Sequence, residues 1–100
     1  MRYSVGYKRA AASEVESAIA WYAKPEINQT SAFVNDLQLT ESHLRTHPEL
    51  YQRVEGDVRR AVLRRFPYSL FFLIEQDQVV VLAFMHQHQR PRTREELTKS

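Results

Sequence analysis

The sequence predicts an α+β fold in the order β-α-α-β-β-β, a helical hairpin packed on one face of a twisted, largely antiparallel four-stranded sheet. Three observations carry this prediction. Two segments of the first half repeat apolar residues at helical spacing. Two segments of the second half, 68–75 and 79–86, are apolar on both faces, as strands covered on both sides are. The turn EQDQ joins those two strands and makes them antiparallel neighbours.

Each element has its own warrant. In RYSVGY, residues 2–7, Tyr3, Val5 and Tyr7 face one way, which reads as a short strand near an edge. Ser13 followed by Glu16 is a capping-box pattern, and Val15, Ala18, Ile19 and Tyr22 then recur at helical spacing, with Trp21 broadening the face. The first helix is expected from about Ala10 or Ser13 to Ala23. Pro25 breaks it, and KPEINQTS makes a short polar connection. Phe33, Val34, Leu37 and Leu44 form a second helical stripe that stops before Pro48. Residues 49–57 read as a loop with Gly56-Asp57 as its turn.

Strands are expected over about 58–65, 68–75 and 79–86. Leu70, Phe72 and Ile74 line one side of the second of these, and Phe71 and Leu73 the other. In the third, Val79, Val81 and Ala83 alternate with Val80, Leu82 and Phe84. One helix pair covers only one sheet face. The second apolar face is therefore expected to meet the C-terminal tail or another chain.

Composition narrows the class. One hundred residues suit a single domain spanning 1–100, and 43% apolar content with two glycines excludes disordered and collagen-like chains. Without cysteine there is no disulfide framework and no thiolate chemistry. That fits a reducing, cytoplasmic setting. The N-terminus lacks the apolar stretch of a signal peptide, and no run reaches the roughly 20 apolar residues of a membrane span. Charge is uneven: residues 1–50 carry five Lys/Arg against six Asp/Glu, whereas residues 51–100 carry nine against six. Arg53, Arg59, Arg60, Arg64 and Arg65 cluster in thirteen residues, a set suited to phosphate or carboxylate partners or to a solvated strand edge.

Most catalytic constellations are missing. His43 and His47 at i, i+4, and His86 and His88 at i, i+2, can each present two imidazoles, but no carboxylate or cysteine completes a set, so no metal is expected. No glycine-flanked serine marks a triad, and Gly6 and Gly56 cannot build a phosphate-cradling loop. What remains is basic and aromatic. Alternation places Arg60 and Arg64 on one strand face and Arg59 and Arg65 on the other, while Tyr68, His86, His88 and Arg90 gather at the same end of the sheet. Such an end either binds a polyanion, with Tyr68 stacking a base and His86 moving a proton, or is a polar rim with local hydrogen bonds.

FPYSLFFLIEQDQVVVLAFMHQHQRP, residues 66–91, resembles the C-terminal signature of the RelE/ParE toxin superfamily: Arg-Phe-Pro-Tyr, an aromatic-rich strand, a turn, a valine-rich strand ending Ala-x-x-His, then Arg-Pro. The upstream AIAWYAKPEINQTSAFVNDLQLTESHLRTHPELYQRV looks like that superfamily's helical hairpin, so the likeness spans nearly the whole chain. It implies the toxin of a bacterial type II toxin–antitoxin pair, bound in a hetero-oligomer by a cognate antitoxin and needing no cofactor. ParE-like members poison DNA gyrase; RelE-like members cleave mRNA in the ribosome. Residue by residue, the resemblance implies Arg60, Arg64 and Arg90 at basic positions of the nuclease. Val62 stands where the nuclease has lysine, and the tail QRPRTREELTKS lacks its C-terminal tyrosine. The expected function is therefore gyrase inhibition. The alternatives are a ribosome-dependent mRNA endonuclease using Arg60, Arg64, Tyr68, His86 and Arg90, and a non-toxic module that only binds antitoxin. Arg59, Arg65, Phe71, Leu73 and His88 are the expected antitoxin or target contacts.

Overall fold

The computed structural model describes residues 2–90 and 92–99. The chain runs β1 (Ser4–Tyr7), α1 (Arg9–Tyr22), α2 (Thr30–Thr46), a 3-10 turn (Pro48–Leu50), β2 (Arg53–Glu55), β3 (Val58–Val62), β4 (Tyr68–Glu75), β5 (Gln78–His86) and α3 (Arg94–Thr98). The strands form one sheet in the order β1-β5-β4-β3-β2, with β1 parallel to β5 and the other pairings antiparallel. The α+β class and the order of the main elements agree with expectation. The strand count does not: the stretch 49–57, expected as loop, holds the 3-10 turn and β2, which folds back on β3 around Gly56 at φ 58.

Helix α1 begins earlier than its capping-box pattern suggests. The N–H of Lys8 still donates to the carbonyl of Val81 at 2.9 Å, and the chain turns into helix directly behind it. Ser13 and Glu16 then lie inside the helix and cap nothing. The alanines at 10–12 carry the early turns because alanine is the strongest helix former. The capping box that does form is at α3, between Thr93 and Glu96.

The core fills the space between the helices and one sheet face. Ala11, Ala18, Phe33, Leu37 and Leu44 pack on Ala61, Leu70, Phe72, Val79, Val81 and Phe84. Phe33 is fully buried and its ring meets Tyr22, Phe66, Tyr68 and Phe84 at centroid distances of 4.9, 5.4, 5.7 and 5.9 Å. Burying one such ring stabilises the fold by about 1.5–3 kcal/mol.

A bulge interrupts the alternation expected over 79–86. Strands β4 and β5 pair from Tyr68↔His86 to Phe71↔Ala83, then shift to Phe72↔Val81. The extra residue sends Ala83 to the face of Leu82 and Met85, and returns Phe84 to the helix face. On the face away from α1 and α2, Leu97 of α3 packs against Val58, Leu82, Ala83 and Met85, so the C-terminal tail covers part of the second apolar face. Phe71, Leu73 and Val80 remain half-buried beside it.

Candidate functional site

The basic and aromatic residues gather at the end of the sheet where β3 stops, β4 starts and β5 finishes. Strand β3 ends at Val62, three residues short of the expected boundary. The cause is Asp36, a buried carboxylate on α2. It accepts the backbone N–H groups of Arg64, Arg65 and Phe66 at 3.2, 2.8 and 3.0 Å, drawing that stretch off the ladder. Arg64 and Arg65 are consequently loop residues rather than strand residues on opposite faces. Their exposed side chains border a shallow groove with Ala32, Asn35 and Leu39 of α2.

The arginines separate further. Arg59 lies on the helix side, where its guanidinium donates to the carbonyls of Glu49 and Tyr51 at 3.1 and 2.6 Å. Arg60 pairs with Phe71 on the opposite face and is exposed on a concavity of about 280 Å3 shared with Phe71, Met85, His86, Arg92 and Leu97. Arg90 is exposed beyond the end of β5, while Pro91 of the Arg-Pro pair falls outside the described residues.

Tyr68 and His86 are register partners, with ring centroids 5.1 Å apart and planes at 81°. Tyr68 is nonetheless held in the core's margin. Its ring stacks on Phe84 at 4.7 Å and 6°, and meets Phe33 and Tyr22 edge-on. Burial, then the neighbouring Tyr22 phenol, pushes its hydroxyl pKa up to about 12, so it stays protonated at neutral pH. His86 Nδ1 accepts the N–H of His88 at 3.1 Å, which leaves the ring proton on Nε2. A tight turn fixes the imidazole: the His86 N–H donates to Gln89 Oε1 at 2.6 Å, and the Gln87 N–H to the Pro67 carbonyl at 2.8 Å. The His88 ring stacks on His86 at 5.1 Å. Tyr68, His86 and His88 thus lie together, whereas Arg64 and Arg65 border the α2 groove, Arg90 lies beside Met85 and Gln89, and Arg60 borders the concavity that His86 also lines. Phe71 and Leu73 lie on the open face, Phe71 in the concavity that His86 also lines.

A family model described as the ParE toxin of the type II toxin–antitoxin system parDE matches residues 5–91. The chain belongs to the ParE toxin family. Among solved structures its fold is similar to a chain titled "Chromosomal ParDE TA system from P. aeruginosa", with a TM-score of 0.71 and 18% identity over 85% of this chain and 96% of that one. No curated protein matches the sequence.

Two residues that organise this end of the sheet in the ParE-family chain escape the sequence pattern. Asp36 is one. Glu14 is the other: β1 pairs β5 only as far as Val81, and beyond that point Glu14 of α1 accepts the N–H of Phe84 at 3.0 Å and pairs with Arg92. A signal for Asp36 exists in hindsight, because it sits at helical spacing inside the stripe of Phe33, Leu37, Thr40 and Leu44. Glu14 has none, since its partners are 70 and 78 residues away. His43 and His47 border a separate depression with Leu50 and Tyr51. Among the described residues no three His, Cys, Asp or Glu side chains meet in a metal-holding group. No helix of the described residues is long and apolar enough to cross a membrane.

Proposed function

We propose that this chain is a toxin that inhibits DNA gyrase and is held inactive by a cognate antitoxin packed on the open sheet face. Family membership supports the toxin role, and the dispersal of the basic residues favours gyrase over RNA cleavage. Cutting a phosphodiester needs an acid, a base and cationic groups around one phosphate. Here the Tyr68 phenol is held beside Tyr22, His86 Nδ1 is occupied by a backbone N–H, and Arg60 belongs to the sheet face opposite Tyr68, on a concavity that reaches only the edge of His86's turn. The half-buried Phe71, Leu73 and Val80 supply an apolar strip for the antitoxin.

The test is a supercoiling assay with purified gyrase, alongside DNA and protein synthesis followed separately after induction in cells. Loss of supercoiling and early arrest of DNA synthesis are expected. His86→Ala and Tyr68→Phe, each confirmed folded, should retain toxicity to within about threefold, since neither residue carries chemistry in this reading. Early arrest of translation with cut transcripts, abolished in both variants, would establish the nuclease instead. Unimpaired growth with soluble protein would leave a binding module.

A further inference from the structure

The arginines at the sheet's end fan outward instead of meeting, and a fan suits a different ligand from a cluster. Residues 58–74 and 78–94 contain seven arginines and no acidic residue. Three of the seven are occupied: Arg59 by two carbonyls, Arg92 by Glu14 and Arg94 by Asp57. Arg60, Arg64, Arg65 and Arg90 are exposed and make no ion pair among the described residues.

Several carboxylates that approach this end already have partners. Asp36 accepts three backbone amides, Glu14 accepts Phe84 N–H and Arg92, and Asp57 holds Arg94. Glu55 accepts the Arg94 N–H, and Glu96 closes the α3 cap, where Arg90 and Arg92 lie within electrostatic range of it. At the opposite end of the sheet the β4–β5 turn carries Glu75 and Asp77.

Spacing identifies the partner. Neighbouring strands lie about 4.8 Å apart, and Arg60 on β3 is level with Ala83, three residues before the end of β5, so the two backbones are separated by roughly 14 Å. Arg64 and Arg65 extend the fan onto the α2 side. Four guanidinium groups spread over β3, the loop on the α2 side and the exit of β5 match successive phosphates of a duplex better than one phosphate. Single strands are held by aromatic platforms as well as charge. Tyr68 has one face stacked on Phe84, and the Trp21 ring has one face taken by the Lys24 ammonium 4.2 Å from its centroid, so neither can sandwich a base between two free faces.

We propose that Arg60, Arg64, Arg65 and Arg90 form a docking surface for the phosphate backbone of duplex DNA. Gyrase holds duplex DNA, so the proposal rests on the target proposed above and adds a second contact to it.

The experiment is fluorescence anisotropy of the purified chain with a labelled mixed-sequence duplex of about 20 base pairs, repeated across salt concentrations. Four phosphate contacts predict an affinity that falls roughly a hundredfold between about 50 and 200 mM salt. Each Arg→Gln change should reduce the salt slope by about 0.9, and the fourfold variant should lose binding. Arg45→Gln, at the far end beside Tyr3, is the charge-matched control and should change nothing. Three results would each overturn the proposal: no wild-type binding at about 50 mM salt, a fourfold variant that binds like wild type, or tighter binding to single-stranded RNA of equal length. Gyrase inhibition is measured separately. DNA binding without inhibition removes the target and keeps the surface; inhibition without DNA binding does the reverse.

Discussion

Asp36 holds three consecutive backbone amides from the middle of α2, and that one carboxylate decides where the arginines go. A charged acceptor on three N–H donors is stronger than neutral bonds, and its loss would leave a buried N–H at Phe66 without a partner. Asp36→Ala should therefore lower unfolding stability by about 2–4 kcal/mol, read as a shifted urea midpoint at constant slope. Asp36→Asn, which keeps one acceptor oxygen, should fall between the two. An unchanged midpoint in the alanine variant would show that the loop is held by something else. Arg59 illustrates the same lesson: it is one of five clustered arginines in the sequence, yet it braces the 3-10 turn rather than facing a ligand.

At the scale of elements, α3 is the least anchored part of the fold. It is five residues long and buries one apolar side chain, Leu97. The rest of its attachment is polar, and two of the carboxylates involved titrate low. The Arg94 guanidinium beside Asp57 holds that carboxyl below its ordinary value, and the backbone N–H of Thr93 does the same for Glu96. A depressed carboxyl pKa contributes stability above its unfolded value and loses it as pH falls through the folded one. Below about pH 4 the cap and the ion pair weaken together. Hydrogen exchange at the Leu97 amide, which donates to the Thr93 carbonyl, should accelerate there before the β4–β5 amides do. Simultaneous loss of protection in both would mean that α3 does not open separately. The pattern of residues 94–98 raised no helix expectation, because five residues cannot show a period.

For the whole molecule, the two sheet faces have different tasks. The helix face is closed by α1 and α2, while the other is closed only in part by Leu97. Leu73→Asp places a charge on the partly covered face and should abolish antitoxin co-purification, at a cost of at least tenfold in affinity, with little change in circular dichroism. Co-purification at wild-type yield would move the antitoxin to another surface.

The sequence by itself determined the class, the helical hairpin, the β4–β5 hairpin and the presence of an apolar second face. Each of these is a short-range pattern, or a count of faces against helices. It also carried the family likeness, in residues that lie close together along the chain. Only the tertiary structure decided where β3 ends, how the bulge turns Phe84 inward, and which arginines are free. Those outcomes depend on Asp36 and Glu14 meeting amides 28 to 70 residues away. No periodicity encodes a contact between one side chain and a distant backbone N–H. Tertiary packing is what turns the clustered arginines of the sequence into a fan.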